Sequence, residues 1–271
     1  MSRYVTRRLG TAVVTLGVVT LLTYALLYLA PGNPAEAALR TQLGHQPTPE
    51  QIEAFRTEAG LDKPFHLQYL SWMADVLRGD FGTSYYHGQS VSELIWGRLP
   101  VTLSLAVGGM AVALAVSVPT GVASAVHPNS PIDHLSQLLA LIGVAMPNFW
   151  LGYLLIFAFA LSLGAFPVSG HGSLAHLVLP SVTLGTGLAA VQTRLIRSAM
   201  LDTLDEQFVD AARARGVSER LVVYKHALRN ALIPVVTIVG LQLGFVLNGT
   251  VIVEVVFQRP GLGMLLVDAV F

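Results

Sequence analysis

The chain has 271 residues, 53% of them hydrophobic and only 12% charged, and its 16 Lys and Arg balance its 16 Asp and Glu. A mean hydropathy of +0.62, with a charged fraction far below the roughly 25% of soluble domains, excludes an ordinary soluble protein. The lack of cysteine excludes disulfides and thiolate metal sites, and the lack of a basic tract excludes nucleic-acid binding.

Residues 1–8 carry Arg3, Arg7 and Arg8, and residues 9–30 carry no charge. Those 22 residues extend about 33 Å as a helix, too long for a signal-peptide core and enough to cross a bilayer. They read as a first span. Residues 31–98 read as an extracytoplasmic segment with short helices. Pro49 to Phe55 reads as a helix start, and Phe65 to Leu77 as an amphipathic helix with Leu67, Leu70 and Met73 or Ala74 on one face.

A second span is expected over 99–126, with Pro100 in its first turn and Pro128 and Pro131 closing the run. Nothing between Asp133 and Arg194 is charged, and the turn-rich Gly164–His176 divides that stretch into spans at 135–163 and 177–193. Residues 194–229 hold seven bases, 230–253 form a fifth span, and 254–271 return to the outside, ending at Phe271. Bases before the first span and after the fourth agree on one topology, with the N-terminus cytoplasmic. The final apolar patch is too short to cross again, which leaves either a five-span protein or, the expectation here, a sixth span beyond Phe271.

Within 194–229, Asp202 is a plausible N-cap for a helix through Arg215. Leu204, Phe208, Ala211 and Ala212 share a face at helical spacing. Asp205 and Glu206 near its start and Arg213 and Arg215 near its end suit the helix dipole. Gly216 offers a left-handed cap, and Ser218 starts a second helix bearing Leu221, Leu228 and Leu232. Spacing alone fits a partner-docking cassette and a solvated linker on the membrane surface equally well.

The cassette, with Asp210-Ala211-Ala212, Gly216 and then HALRNALIP at 226–234, resembles the coupling loop of ABC importer permeases. ARARG before HALRNALIP is similar to the dipeptide, oligopeptide and nickel branch. RYVTRRL, LAPGNPAE, GLDKPFHLQYLSWMADVLRGDFGTSY, RLPVTLSLA, PNFWLG and FPVSG also match that branch in order, covering nearly the whole chain. Asp210 stands where the general pattern has Glu, and Arg229 where many families have Pro.

The resemblance implies an all-α membrane protein, a type I ABC importer transmembrane domain. It also implies a non-catalytic permease of the cytoplasmic (inner) membrane for peptides, with nickel complexes or haem-like cargo as the alternative. The expected partners are a second homologous permease, one or two ATPase subunits, an extracytoplasmic substrate-binding protein received by 31–98, and membrane lipid. Neither Lys63 nor Lys225 follows Gly, so the chain has no P-loop lysine. It is expected to hold no cofactor and no metal, with ATP and Mg bound by partner subunits. The resemblance casts Phe208, Ala211, Ala212 and Gly216 as contact and turn residues, and Glu206, Asp210 and Arg215 as charge partners for the ATPase.

Polar side chains in a span are costly and often functional, which selects Asn148, Gln192, Gln242 and Asn248 as pathway candidates. Interhelical hydrogen bonding is the competing role. Gly240 and Gly244 form a small-residue pair suited to helix packing, including against a second permease. Glu254 reads as interfacial. The histidines His45, His66, His87, His171 and His176 lack ligand spacing. Two other classes remain. One is an intramembrane enzyme, for which Ser84 lies near His87 but no G-x-S-x-G exists. The other is an ATP-independent channel.

Overall fold

The computed structural model describes residues 2–29, 32–85 and 87–270. Ala30, Pro31 and Phe271, which end expected segments, lie outside them. The described residues form helices and turns with one isolated bridge between Thr83 and Ser90. They divide into two compact units, Met1–Trp96 and Gly97–Phe271.

The first unit holds α1 (Ser2–Leu29), α2 (Pro34–Leu43), α3 (Pro49–Glu58) and α4 (Phe65–Leu77). In α1 the stretch Arg3–Leu26 is long and apolar enough to cross a membrane. Asn33 caps α2 by accepting the Ala35 N–H at 3.2 Å. Thr48 and Gln51 form a reciprocal capping box on α3, behind Pro49 at its first position.

Helix α4 packs on α1 through a face other than the one its aliphatic residues mark. Leu67 and Leu70 are exposed. Phe65, Tyr69 and Trp72, spaced i, i+4, i+7, instead stack against Tyr24 and Tyr28 with ring centroids 5.2–5.8 Å apart. Tilted and edge-on aromatic pairs favour that face. Tyr69 Oη also lies 3.0 Å from Thr20 Oγ1.

The second unit is built from the bulk of α5 (Val91–Val126), then α6 (Pro131–Ala145), α7 (Asn148–Leu155), α8 (Ala175–Leu204), α9 (Gln207–Ala214), α10 (Glu219–Leu221), α11 (Leu228–Val256) and α12 (Leu262–Val270). Two π-helical segments interrupt the α geometry, Ile156–Ser162 after α7 and Val222–Ala227 between α10 and α11. Three helical stretches here have the length and hydropathy of spans: Val91–Val126, Ala175–Leu204 and Glu219–Val256.

Three expected boundaries move. Helix α5 begins at Val91, so Pro100 sits in its interior. A proline there frees a carbonyl one turn back, which membrane helices tolerate when neighbours compensate. The stretch 135–163 is two helices meeting at 106°. Pro147 has no N–H to donate and pushes Met146 into extended geometry, φ −81° and ψ 121°, so α6 stops and α7 restarts. Helix α8 continues to Leu204, because nothing in its sequence breaks a helix where the charges begin. Asp202 therefore lies inside α8 rather than capping the next helix.

Helix α8 is the centre of the unit, and glycines let its neighbours approach it. A Cβ on Gly109 of α5 would lie 2.7 Å from Leu184, and one on Gly121 would lie 2.8 Å from Ile196. A Cβ on Gly185 of α8 would lie 2.6 Å from the Gly109 carbonyl oxygen. Where lipid removes the hydrophobic drive between helices, such contacts hold them together. Among the described residues Gly240 and Gly244 have no such neighbour within 4 Å, so neither makes a close contact of the kind seen along α5 and α8. Gly185→Ala is expected to cost about 1–3 kcal/mol by forcing α5 and α8 apart. A lowered thermal unfolding midpoint in detergent is the expected reading, and an unchanged one contradicts the contact.

Candidate functional site

The cassette between α8 and α11 is a closed local structure. After α8 ends, Glu206 adopts an extended N-cap conformation and α9 begins. At its other end Gly216 takes φ 78°. Its N–H reaches the Arg213 carbonyl at 2.9 Å, and the Val217 N–H reaches that of Ala212 at 3.3 Å. This pair of bonds is the Schellman closure that a left-handed glycine permits. Val217 packs on the small cluster of Val209, Ala212 and Val222. Ser218 stands at the N-cap of α10 through its backbone, its carbonyl accepting the Leu221 and Val222 N–H groups at 2.9 and 3.0 Å. From Glu219 the chain stays helical to Val256.

The two faces of α9 differ sharply. Val209 and Ala212 are buried, while Phe208 is 41% exposed and Ala211 is open beside it. Ala212, expected to touch a partner, instead packs inside the cassette, because Val209, Ala212 and Val222 are small enough to meet closely. Phe208, Ala211 and Arg215 make up the free face, with Arg215 Nε donating to the Ala211 carbonyl at 3.0 Å. Arg213 joins Glu219 at 2.9 Å and Asp210 at 3.4 Å. The Glu219 bond foremost raises the proton affinity of its guanidinium. Glu206 is exposed. On the second cassette helix Leu221 is exposed, the bundle face is centred on Val223, Ala227, Ala231 and Val235, and Leu228 and Leu232 pack against it partly buried.

Leu204 packs against both the cassette cluster and the larger cluster of Val122, Ile196, Met200, Val223 and Ala227. Near this end an ion pair that the sequence reading did not single out joins α6 to α8. Asp133, buried, accepts two bonds of 2.7 Å from Arg197.

The polar pathway candidates separate into two kinds. Gln192 donates to Gln242 at 2.7 Å and accepts from Ser117 at 2.9 Å, tying α5, α8 and α11 together. Both glutamines are buried, so they serve interhelical bonding. Asn148, at the start of α7, is partly exposed and its Oδ1 lies close to Gly187 of α8. Asn248 is exposed on α11. In the first unit, Ser84 Oγ accepts the His87 backbone N–H at 3.2 Å and so closes a turn.

At the far end of α11, Glu254 is fully enclosed rather than interfacial. Its carboxylate accepts the Thr102 hydroxyl at 2.7 Å and the Gly263 and Met264 N–H groups at 2.7 and 3.1 Å. Those amides open α12, where the helix dipole favours an anion. A Cβ on Gly261 would overlap the carboxylate, so the Pro260–Gly263 turn wraps it closely. Arg259 beside it donates to the His176 carbonyl at 2.9 Å and is buried. Burial pushes its guanidinium below the ordinary value, and the Glu254 charge partly offsets this.

Glu254→Ala would strand the buried Gly263 and Met264 amides. It is expected to cost about 3 kcal/mol of stability, with Glu254→Gln costing less. Thermal unfolding of the purified chain measures both, and equal midpoints for wild type and Glu254→Ala would contradict the buried anchor.

Two family descriptions match the chain. "Binding-protein-dependent transport system inner membrane component" covers residues 117–271. "Binding-prot-dependent transport system membrane comp, N-term" covers residues 1–106. The glutathione transport system permease protein GsiC of Salmonella typhimurium (strain LT2) is 44% identical over 270 residues, spanning 100% of this chain and 87% of that protein. Its counterpart in Escherichia coli (strain K12) is 42% identical over 270 residues, with the same coverage.

Proposed function

The chain belongs to the family of binding-protein-dependent transport system inner membrane components, and from that premise we propose that it forms half of a peptide pathway driven by a separate ATPase docked on its cassette. The observation that carries this reading is the free face of α9. Phe208, Ala211 and Arg215 stand exposed on a helix closed at Gly216 and joined without a flexible linker to α8 and α11. An exposed aromatic beside a small residue is the composition of an interface anchor. The seven bases of 194–229 support placing this face in the cytoplasm, and with it the N-terminal Arg3, Arg7 and Arg8.

In this reading ATP and Mg are held by the partner, and the chain itself catalyses nothing. A second permease completes the pathway, a substrate-binding protein delivers cargo to the 31–98 side, and the complex resides in the cytoplasmic membrane. Glutathione, named for the relatives, is a small peptide, which supports small peptides as the substrate class. Asn148 and Asn248, neither tied into the buried network, are the pathway candidates retained. Charge pairing with the ATPase falls to Glu206 and Arg215, while Asp210 is engaged with Arg213.

Phe208→Ala is expected to weaken recruitment of the ATPase about tenfold while leaving the amount of chain in the membrane unchanged. Co-purification from membranes measures this, and undiminished recruitment would reject Phe208 as the anchor. Ala212→Arg and Gly216→Pro act differently. The first forces a charge into the buried face of α9, and the second removes the N–H donor and the left-handed φ of the Schellman closure. Both are expected to unfold the cassette locally and abolish uptake.

A further inference from the structure

The Asp133 carboxylate accepts four hydrogen bonds within an almost closed site. Ser124 Oγ approaches at 2.5 Å from the end of α5, and the Asn129 N–H at 2.9 Å from the turn between α5 and α6. Arg197 supplies Nε and Nη2 from α8, each at 2.7 Å. Asn129 holds φ 60°, unusual for a residue other than glycine. Ser130 caps α6 and accepts the Asp133 N–H at 3.3 Å. The local donors and the N-terminus of α6 already favour an anion here. The forked bond to Arg197, 64 positions along the chain, is therefore an addition that joins two separate elements.

What those elements connect to gives the pair its meaning. Arg197 lies seven residues before the end of α8, about 10 Å along the helix. At that end Leu204 packs on the cassette cluster and on the bundle cluster alike. A continuous set of packed contacts thus runs from Val209 and Ala212 through Leu204 and α8 to Arg197, Asp133 and the α5–α6 corner.

We propose that Asp133 and Arg197 are positioning residues for energy coupling: their forked pair makes the α5–α6 corner travel with α8 and the cassette as one body. This rests on the reading of the cassette as the ATPase dock. A planar fork on a carboxylate fixes relative orientation as well as distance, which a lysine ammonium does not. Loss of the fork leaves α5 and α6 behind when the cassette moves.

The test uses the complete transporter, with its ATPase and binding protein, in proteoliposomes. Asp133→Asn and Arg197→Lys are expected to assemble with the ATPase and hydrolyse ATP as wild type does. Labelled dipeptide moved per ATP is expected to fall about tenfold in Asp133→Asn and less in Arg197→Lys. The chain has no cysteine, so spin labels on His127→Cys and Asp202→Cys, both exposed, report directly on the corner and α8. On the wild-type pair they should give one narrow distance, the same without nucleotide and in the ATP-trapped state, and Asp133→Asn should broaden it. Unchanged dipeptide per ATP in Asp133→Asn overturns the proposal, as does a wild-type label distance that shifts on trapping. If Asp133→Asn does not assemble, the wild-type label measurement decides alone. A wild-type complex that recruits no ATPase would instead defeat the docking reading.

Discussion

A carboxylate enclosed among apolar helices costs several kcal/mol unless its lone pairs are met, and the second unit encloses two. Asp133 is met by Ser124, Asn129 and Arg197. Glu254 is met by Thr102 and the first amides of α12. Each therefore dictates the chain around it: the left-handed Asn129 turn in one case, the Pro260–Gly263 wrap in the other. Helix α8 is held in both places, by Arg197 near its end and through the His176 carbonyl near its start. The two positions are 21 residues apart, about 32 Å of helix, close to the thickness of a hydrocarbon core. From His176 to Thr193 the helix carries no charged residue, and there the buried Gln192, Gln242 and Ser117 bond one another.

Close packing follows from the same setting. Helices in lipid gain little from merely excluding water, so they gain from touching. Along α5 and α8 the contact is bare backbone against side chain at Gly109, Gly121 and Gly185. Leu135, Leu138 and Leu139 of α6 and Leu241 and Phe245 of α11 are left exposed, the normal condition of residues whose solvent is apolar. Gly240 and Gly244 lie on an open face of α11.

Local chemistry made part of this legible in the sequence. The Gly216 closure, the Ser218 cap, the helix start at Pro49 and the break within 164–176 all rest on a few adjacent residues. Features set by distant partners were not legible. Glu254 looks interfacial until Thr102, 152 positions away, is seen against it. The Asp133–Arg197 pair joins residues separated by two expected spans and the turn between them, and nothing local to either residue marks the other as its partner. Hydrophobic size also misled at Leu221: it outranks Val222, yet Val222 is buried with Val209 because α9 and the following helix approach closely. Pro147 sits inside the run expected as one span, 135–163. Its 106° consequence was not legible, since the apolar run continues unbroken on both sides.

The π-helical Val222–Ala227 segment sets an angular relation as well as a local irregularity. Every α-helical residue turns the chain by about 100°, and each π turn takes in one residue more than an α turn. The side chains before it and those after it therefore do not share the face that an unbroken α-helix would give them. Glu219, which holds Arg213, and Val235, which lies in the bundle, are phased separately on one continuous helix. Rotational phase between the cassette and the bundle is thus stored in a short stretch of backbone, and a single inserted or deleted residue there would re-aim the cassette without altering either end.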